Sequence, residues 1–220
     1  MKGRLEITYK TKKGTETMFS SEDMSVEKAI LIAQDLEKTG RLKNILFVDN
    51  NESSWSVKDI KKYIKEIDTE PHNVVVYFDG GFDIETRVSG LGCVIYYEKN
   101  GKTFRIRKNA QVKELDTNNE AEYAALHLAL KELEILGVHH LPVDFVGDSQ
   151  VVINQLIGEW PCVEEVLNEW ANRVESRLAT LGVTPSYHLI SRKKNREADQ
   201  LASQALKNIE ITSDAELKQE

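Results

Sequence analysis

Four acidic residues stand where a folded chain ordinarily places apolar ones. Asp79 follows directly on the run Val74-Val75-Val76-Tyr77-Phe78, and Asp148 closes Val143-Asp144-Phe145-Val146-Gly147. Glu122 sits among Ala121, Tyr123, Ala124, Ala125 and Leu126, and Asp199 lies in Ala198-Asp199-Gln200-Leu201-Ala202. A carboxylate at the end of a buried strand, or on the apolar side of a helix, is costly to desolvate. Any fold of this chain must offset that cost. A cluster of hard oxygen ligands around divalent cations is the simplest way.

The apolar periodicity supplies the elements that carry these acids. Residues 74–79 read as a strand, followed by a turn at Gly80-Gly81 and a loop through Gly90. Strands are expected over 91–98 and 103–111, joined at Asn100-Gly101, a strong two-residue hairpin signal. A helix over 119–136 stops at Gly137, and a strand over 143–146 follows. Then come a helix over 149–157, a long helix over 163–181, a strand over 184–190 and a last helix over 196–209. Three antiparallel strands followed by alternating helices and strands predict an α/β domain over 71–211, with a mixed five-stranded sheet and helices on both faces. Residues 212–220 read as a polar, frayed tail.

Residues 1–70 form a separate pattern. Residues 4–10 and 15–20 alternate as strands around Lys12-Lys13-Gly14. Residues 25–39 have a helical apolar face, with Ser25 as N-cap and Gly40 as stop. A short strand at 45–48 and a helix over 56–67, carrying Val57, Ile60, Ile64 and Ile67, complete a small ββαβα unit. Pro71, within 68–73, marks a linker.

Charge and cysteine content narrow the function classes. The net charge of −7 argues against a general nucleic-acid binder. Residues 1–70 hold 13 basic and 13 acidic residues, so the imbalance lies wholly beyond them. Local basic clusters at 101–108 and 192–196 offer places for phosphates. No run of about 18 apolar residues predicts a membrane span, and residues 1–6 show no apolar signal region. Cys93 and Cys162 lack metal-ligand spacing and read as small core residues of a reduced, cytoplasmic protein.

In order, Asp79-Gly80-Gly81, Thr117-Asn118-Asn119-x-x-Glu122, Asp148-Ser149-Gln150 and Asn195-x-x-x-Asp199-x-Leu201-Ala202 resemble the type 1 ribonuclease H pattern, over residues 73–207. The resemblance implies a ribonuclease H-like fold. It also implies that Asp79, Glu122, Asp148 and Asp199 hold two Mg²⁺ or Mn²⁺ ions and hydrolyse the RNA strand of an RNA/DNA hybrid. Asp79 would bridge both ions, Glu122 and Asp148 completing one site and Asp199 the other. Gly80, Gly81, Thr117, Asn118, Asn119 and Gln150 become candidate substrate-binding residues, the amides reaching 2′-hydroxyls and base edges in a wide minor groove.

Each residue also has a plainer reading. Asp79 could open an Asx turn, Asp148 could cap the helix at Ser149, and Asp199 could answer the macrodipole of the last helix. Glu120 fits a capping box with Thr117. Asn118 fits a turn or cap, and Trp160 a core or rim contact. The chain departs from the family pattern in two places. The histidine ten residues before the final aspartate is Leu189, with His188 one residue early and therefore facing the other way on a strand. The long basic helical protrusion of some bacterial members is absent. These departures keep open a weakly active or inactive binding module, or a nuclease for another RNA substrate. They also make the N-terminal unit the place for a protein or nucleic-acid partner, with Lys10, Lys12 and Lys13 as candidate phosphate contacts.

Overall fold

The computed structural model describes residues 1–218, the Ile67 side chain apart, so Gln219, Glu220 and the expected packing of Ile67 lie outside the described residues. The chain divides into two compact units, residues 1–67 and 68 onward.

In the first unit, β1 (Lys2–Lys10) pairs antiparallel with β2 (Glu16–Ser20) and β4 (Leu42–Asp49). Two short strands extend the expected pattern: β3 (Met24–Ser25) on β1, and β5 (Ser54–Ser56) on β4. Helices α1 (Val26–Lys38) and α2 (Val57–Thr69) supply apolar faces to the sheet. Ser25 caps α1 by accepting from the Lys28 amide, and Gly40 leaves it with φ +65°. Leu5, Ala29, Ala33, Phe47, Val57 and Ile60 form the core.

The second unit is built on a six-stranded sheet, order β10-β9-β6-β7-β8-β11. Strands β6 (His72–Asp83), β7 (Val88–Lys99) and β8 (Lys102–Val112) form the antiparallel meander. The β7–β8 turn has Asn100 at φ 54° and Gly101 at φ 69°, the left-handed pair that a two-residue hairpin requires. Helix α3 (Asn118–Leu136) then returns the chain to β9 (Pro142–Gly147), parallel to β6. Helices α4 (Gln150–Leu156) and α5 (Glu165–Leu181) lead to β10 (Thr184–Leu189), parallel to β9. A 3₁₀ turn, Arg192–Lys194, enters α6 (Arg196–Leu206).

The pleat divides the sheet. Val74, Val76 and Phe78 are buried with Ala121, Ala125 and Leu126 of α3 and with α5 residues Leu167, Val174 and Leu178. The opposite face takes α6, whose Ala198 and Ala202 backbone lies against Gly92 and Gly90. Among the described residues no helix is long and apolar enough to cross a membrane. Both cysteines are free, Cys93 buried and Cys162 half-buried.

Three expectations are corrected here. Gly80-Gly81 is not a turn: β6 continues to Asp83, and the chain reverses through residues 84–87 with Arg87 at φ 52°. A Cβ at Gly80 would lie 2.2 Å from the Ala121 carbonyl carbon, so the glycine lets α3 touch the strand. Residues 212–217 are not a frayed tail but strand β11 (Thr212–Leu217), antiparallel to β8, with Lys102 Nζ 2.9 Å from Glu216 Oε2. The span 68–73 is largely helix and strand rather than irregular chain. α2 runs to Thr69 and β6 begins at His72, while Asp68 accepts from the Asn100 amide through its carbonyl and from the Gly101 amide through Oδ1.

Candidate active site

The sheet brings three of the four acids together. Asp79 lies on β6 just beyond its parallel pairing with β9, which ends at Tyr77–Val146. Asp148 leaves the end of the neighbouring β9, and Glu122 projects from the first turns of α3. One carboxylate oxygen of each falls within 4.8 Å of the others. Asp79 is 7% exposed and Glu122 5%.

The helix starts place Glu122 and Asp148 by freeing them from capping. Thr117 is the N-cap of α3, accepting from the Glu120 amide at 3.2 Å. Glu120 reaches back to the Asp116 amide and the Thr117 hydroxyl. The acid two residues on is therefore spared for the interior, where the Gly80 amide donates to Glu122 Oε2 at 3.1 Å. Likewise Ser149, not Asp148, caps α4 through the Val152 amide. Asp148 instead accepts at 2.9 Å from Asn195 Nδ2, which also donates to the Phe78 carbonyl.

Crowded negative charge marks the cluster. Burial, then the carboxylates of Asp148 and Asp199, push Asp79 from 3.8 up to about 7, with Arg192 opposing. Burial, then Asp79 and Asp148, push Glu122 from 4.5 up to about 9 against the Gly80 amide. The cluster alone thus holds protons that a cation would displace. Its donors are all carboxylate oxygens, the set that hard divalent cations take.

Asp199 does not join that cluster. Its Oδ1 accepts from Arg192 Nε and Nη2 at 2.9 and 2.6 Å, and this ion pair raises the Arg192 pKa. The carboxylate opens α6 beside the other three and faces a guanidinium.

The remaining candidates are distributed around this centre. Gly80 and Gly81 are strand residues of β6, Gly80 donating to Glu122. Asn118 Oδ1 accepts from the Phe82 amide, which ties the α3 entrance to β6. Asn119 is half-buried, Gln150 exposed at the start of α4, and Trp160 45% exposed. His188 lies 3.0 Å from Asp144 Oδ1 on the strand pair β9–β10. Leu189, in the position of the family's histidine, ends the edge strand β10 and is 43% exposed. The basic cluster at 101–108 is largely occupied by neighbours: Arg105 and Arg107 meet Glu197, and Lys108 meets Thr212. Asn195 escaped the sequence reading as a site residue. It stood in the sequence only as the first residue of the Asn195-x-x-x-Asp199 motif, and its amide here caps nothing and holds Asp148 instead.

Residues 77–205 match the Reverse transcriptase-like family, more than half of the chain. The chain belongs to that family. The uncharacterized protein YpeP of Bacillus subtilis (strain 168) is 41% identical over 204 residues, 93% of this chain and 90% of its own. Solved structures similar to this family member include type 1 ribonucleases H. RNase H1 of Halobacterium salinarum NRC-1 is 28% identical, with a TM-score of 0.52 over 61% of this chain and 98% of its own. LC11-RNase H1, solved in complex with an RNA/DNA hybrid, is 28% identical with a TM-score of 0.54 over 62% and 98%. The fold and the acidic cluster support a nuclease function of the ribonuclease H type.

Proposed function

We propose that this protein is a divalent-metal-dependent endoribonuclease that hydrolyses the RNA strand of RNA/DNA hybrids, leaving a 5′-phosphate and a 3′-hydroxyl. The observation that carries the reading is the convergence of Asp79, Glu122 and Asp148 within 4.8 Å at the carboxyl end of β9 and beside β6. The hybrid held by LC11-RNase H1 supports the substrate class.

Asp79, Glu122 and Asp148 would hold Mg²⁺ or Mn²⁺, and Asp199 would complete a second site on leaving Arg192. Two such cations would supply an activated water and stabilise the leaving oxygen of an in-line displacement. Asn195 keeps Asp148 oriented, and the Gly80 amide keeps Glu122 oriented. Asn118, Asn119 and Gln150, with Gly80, Gly81 and Thr117, are the residues we assign to the duplex, where amides read 2′-hydroxyls. The N-terminal unit serves as an accessory for a nucleic-acid or protein partner. Unchanged hybrid affinity on replacing Lys10, Lys12 and Lys13 with Ala would favour the protein.

The test is cleavage of end-labelled hybrid, duplex DNA, duplex RNA and single strands in Mg²⁺ and Mn²⁺. Hybrid alone should be cut. Equal cutting of duplex DNA would refute the substrate assignment. Hybrid binding without cleavage in either metal would leave a binding module, the reading that the Arg192–Asp199 pair favours.

A further inference from the structure

A pocket reaches the acids through Asn195, which holds Asp148, and its other lining residues take no part in the chemistry above. It has a volume of about 220 Å³ and is lined by Tyr77, Tyr96, Lys194, Asn195, Glu197 and Ala198. Tyr77 and Tyr96 stand on adjacent strands, edge to face, with ring centroids 5.9 Å apart. Glu197 is fully engaged: its carboxylate accepts from the Tyr96 hydroxyl at 2.7 Å and meets Arg105 and Arg107 at 3.0 and 3.1 Å. Two guanidiniums on one carboxylate leave a positive surplus. Exposed Lys193, Lys194 and Arg196 add to it, and among the described residues none of these three has an ion pair.

One lining residue carries an unsatisfied atom. Asn195 is 1% exposed and spends its amide nitrogen on Phe78 and Asp148. Its Oδ1 has no hydrogen-bond partner among the described residues. A buried acceptor without a donor calls for a ligand or water. The pocket therefore combines aromatic rings and a free ammonium with a buried carbonyl oxygen, on one of its lining residues, that lacks a donor. An unpaired nucleotide matches all three: a π-face for the rings, a phosphate for the ammonium and a base N–H for the oxygen.

We propose that this pocket binds one unpaired nucleotide of a nucleic-acid strand continuing beyond the duplex, a proposal that rests on the hybrid-nuclease reading for the duplex itself. The base lies against Tyr77 and Tyr96 and donates to Asn195 Oδ1, and its phosphate meets Lys194. Because Asn195 also holds Asp148, the single strand is engaged within one side chain of the acids.

The test is fluorescence anisotropy at fixed salt on the full chain carrying Asp79→Asn, which removes cleavage. The probes are blunt hybrid, the same hybrid with 3′ or 5′ single-stranded RNA or DNA overhangs, and a free single strand. One stacked base should tighten binding of an overhang probe roughly tenfold over blunt hybrid. Lys194→Gln should erase that gain and leave blunt-hybrid affinity within about twofold of the parent, since loss of one phosphate contact weakens only the probe that makes it. Tyr77→Leu, which keeps bulk but removes the π-face, should do the same with an unchanged melting curve. Equal affinity for blunt and overhang probes, or a gain that survives both variants, overturns the proposal. If blunt hybrid fails to bind while the single strand binds in a Lys194-dependent way, the pocket stands and the hybrid-nuclease reading falls.

Discussion

Replacing the central acid should stabilise the metal-free protein while destroying its activity. Asp79 is 7% exposed and its carboxyl is pushed from 3.8 up to about 7, by burial first and then by Asp148 and Asp199. Its folded pKa lies above its unfolded one, so between those values the native state binds the extra proton. Stability therefore falls as pH rises through that window, and by pH 8 the whole cost of ionising the buried carboxyl is present. At about 1.4 kcal/mol per pH unit this is roughly 4 kcal/mol. Asp79→Asn is nearly isosteric and neutral at every pH. Desolvating its amide takes back about 1–3 kcal/mol, and relief of Glu122, which loses a negative neighbour, acts the other way. A net gain of about 2–4 kcal/mol at pH 8 in chelator should raise the melting temperature of the catalytic unit by roughly 5–12 °C. At pH 4.5 the wild-type carboxyl is protonated in the native state, so the advantage should shrink to about 1 kcal/mol or less. Saturating Mn²⁺ at pH 8 should narrow or reverse the order, because only the wild type retains the full ligand set. The measurement is a thermal melt of both proteins at the two pH values, with chelator and with metal. If Asp79→Asn melts at or below the wild type in chelator at pH 8, or is favoured equally at both pH values, the buried like-charge cluster is not what the geometry implies.

Three further outcomes follow from neighbouring contacts. Asn195→Ala removes a neutral and a charged hydrogen bond and should cost about 2–4 kcal/mol in urea unfolding, together with weaker Mn²⁺ binding by titration calorimetry, since Asp148 loses its anchor. Gly80→Ala sets a methyl 2.2 Å from the Ala121 backbone, so α3 must shift; a stability loss of at least about 2 kcal/mol and a large fall in hybrid cleavage are expected. His188→Ala should leave the rate within about threefold of wild type, well short of the roughly 10²-fold lost with a general acid or base, because the imidazole is tied to Asp144. A hundredfold drop in a cleavage assay would show that it reaches the acids.

The sequence spoke most clearly where local chemistry decides the structure. Asn100-Gly101 names its own turn because both residues tolerate positive φ, and Thr117 with Glu120 announces the start of α3. Asp79, Glu122 and Asp148 were legible because an acid among apolar neighbours has few explanations. The failures share a different cause. Gly80-Gly81 was read as a turn, yet the missing side chain of Gly80 makes room for Ala121 of a helix much later in the chain, which no local rule reports. Thr212–Leu217 is polar enough to pass for a tail, and only β8, with the Lys102–Glu216 pair, makes it a strand. The Arg192–Asp199 pair spans a 3₁₀ turn, and its seven-residue separation has no sequence signature.

Glycines at 80, 90 and 92 leave two helix backbones resting directly on two strands, with no side chain between them. In machining terms, β6 and β7 act as a common datum. The heights of α3, which carries Glu122, and of α6, which carries Asp199, are gauged from opposite faces of the same strand pair, which bears Asp79. Positional error cannot accumulate through a stack of flexible side chains, so the spacing between acids should tolerate substitutions across the outer faces of both helices. It should be intolerant of a single added carbon at the three contact points.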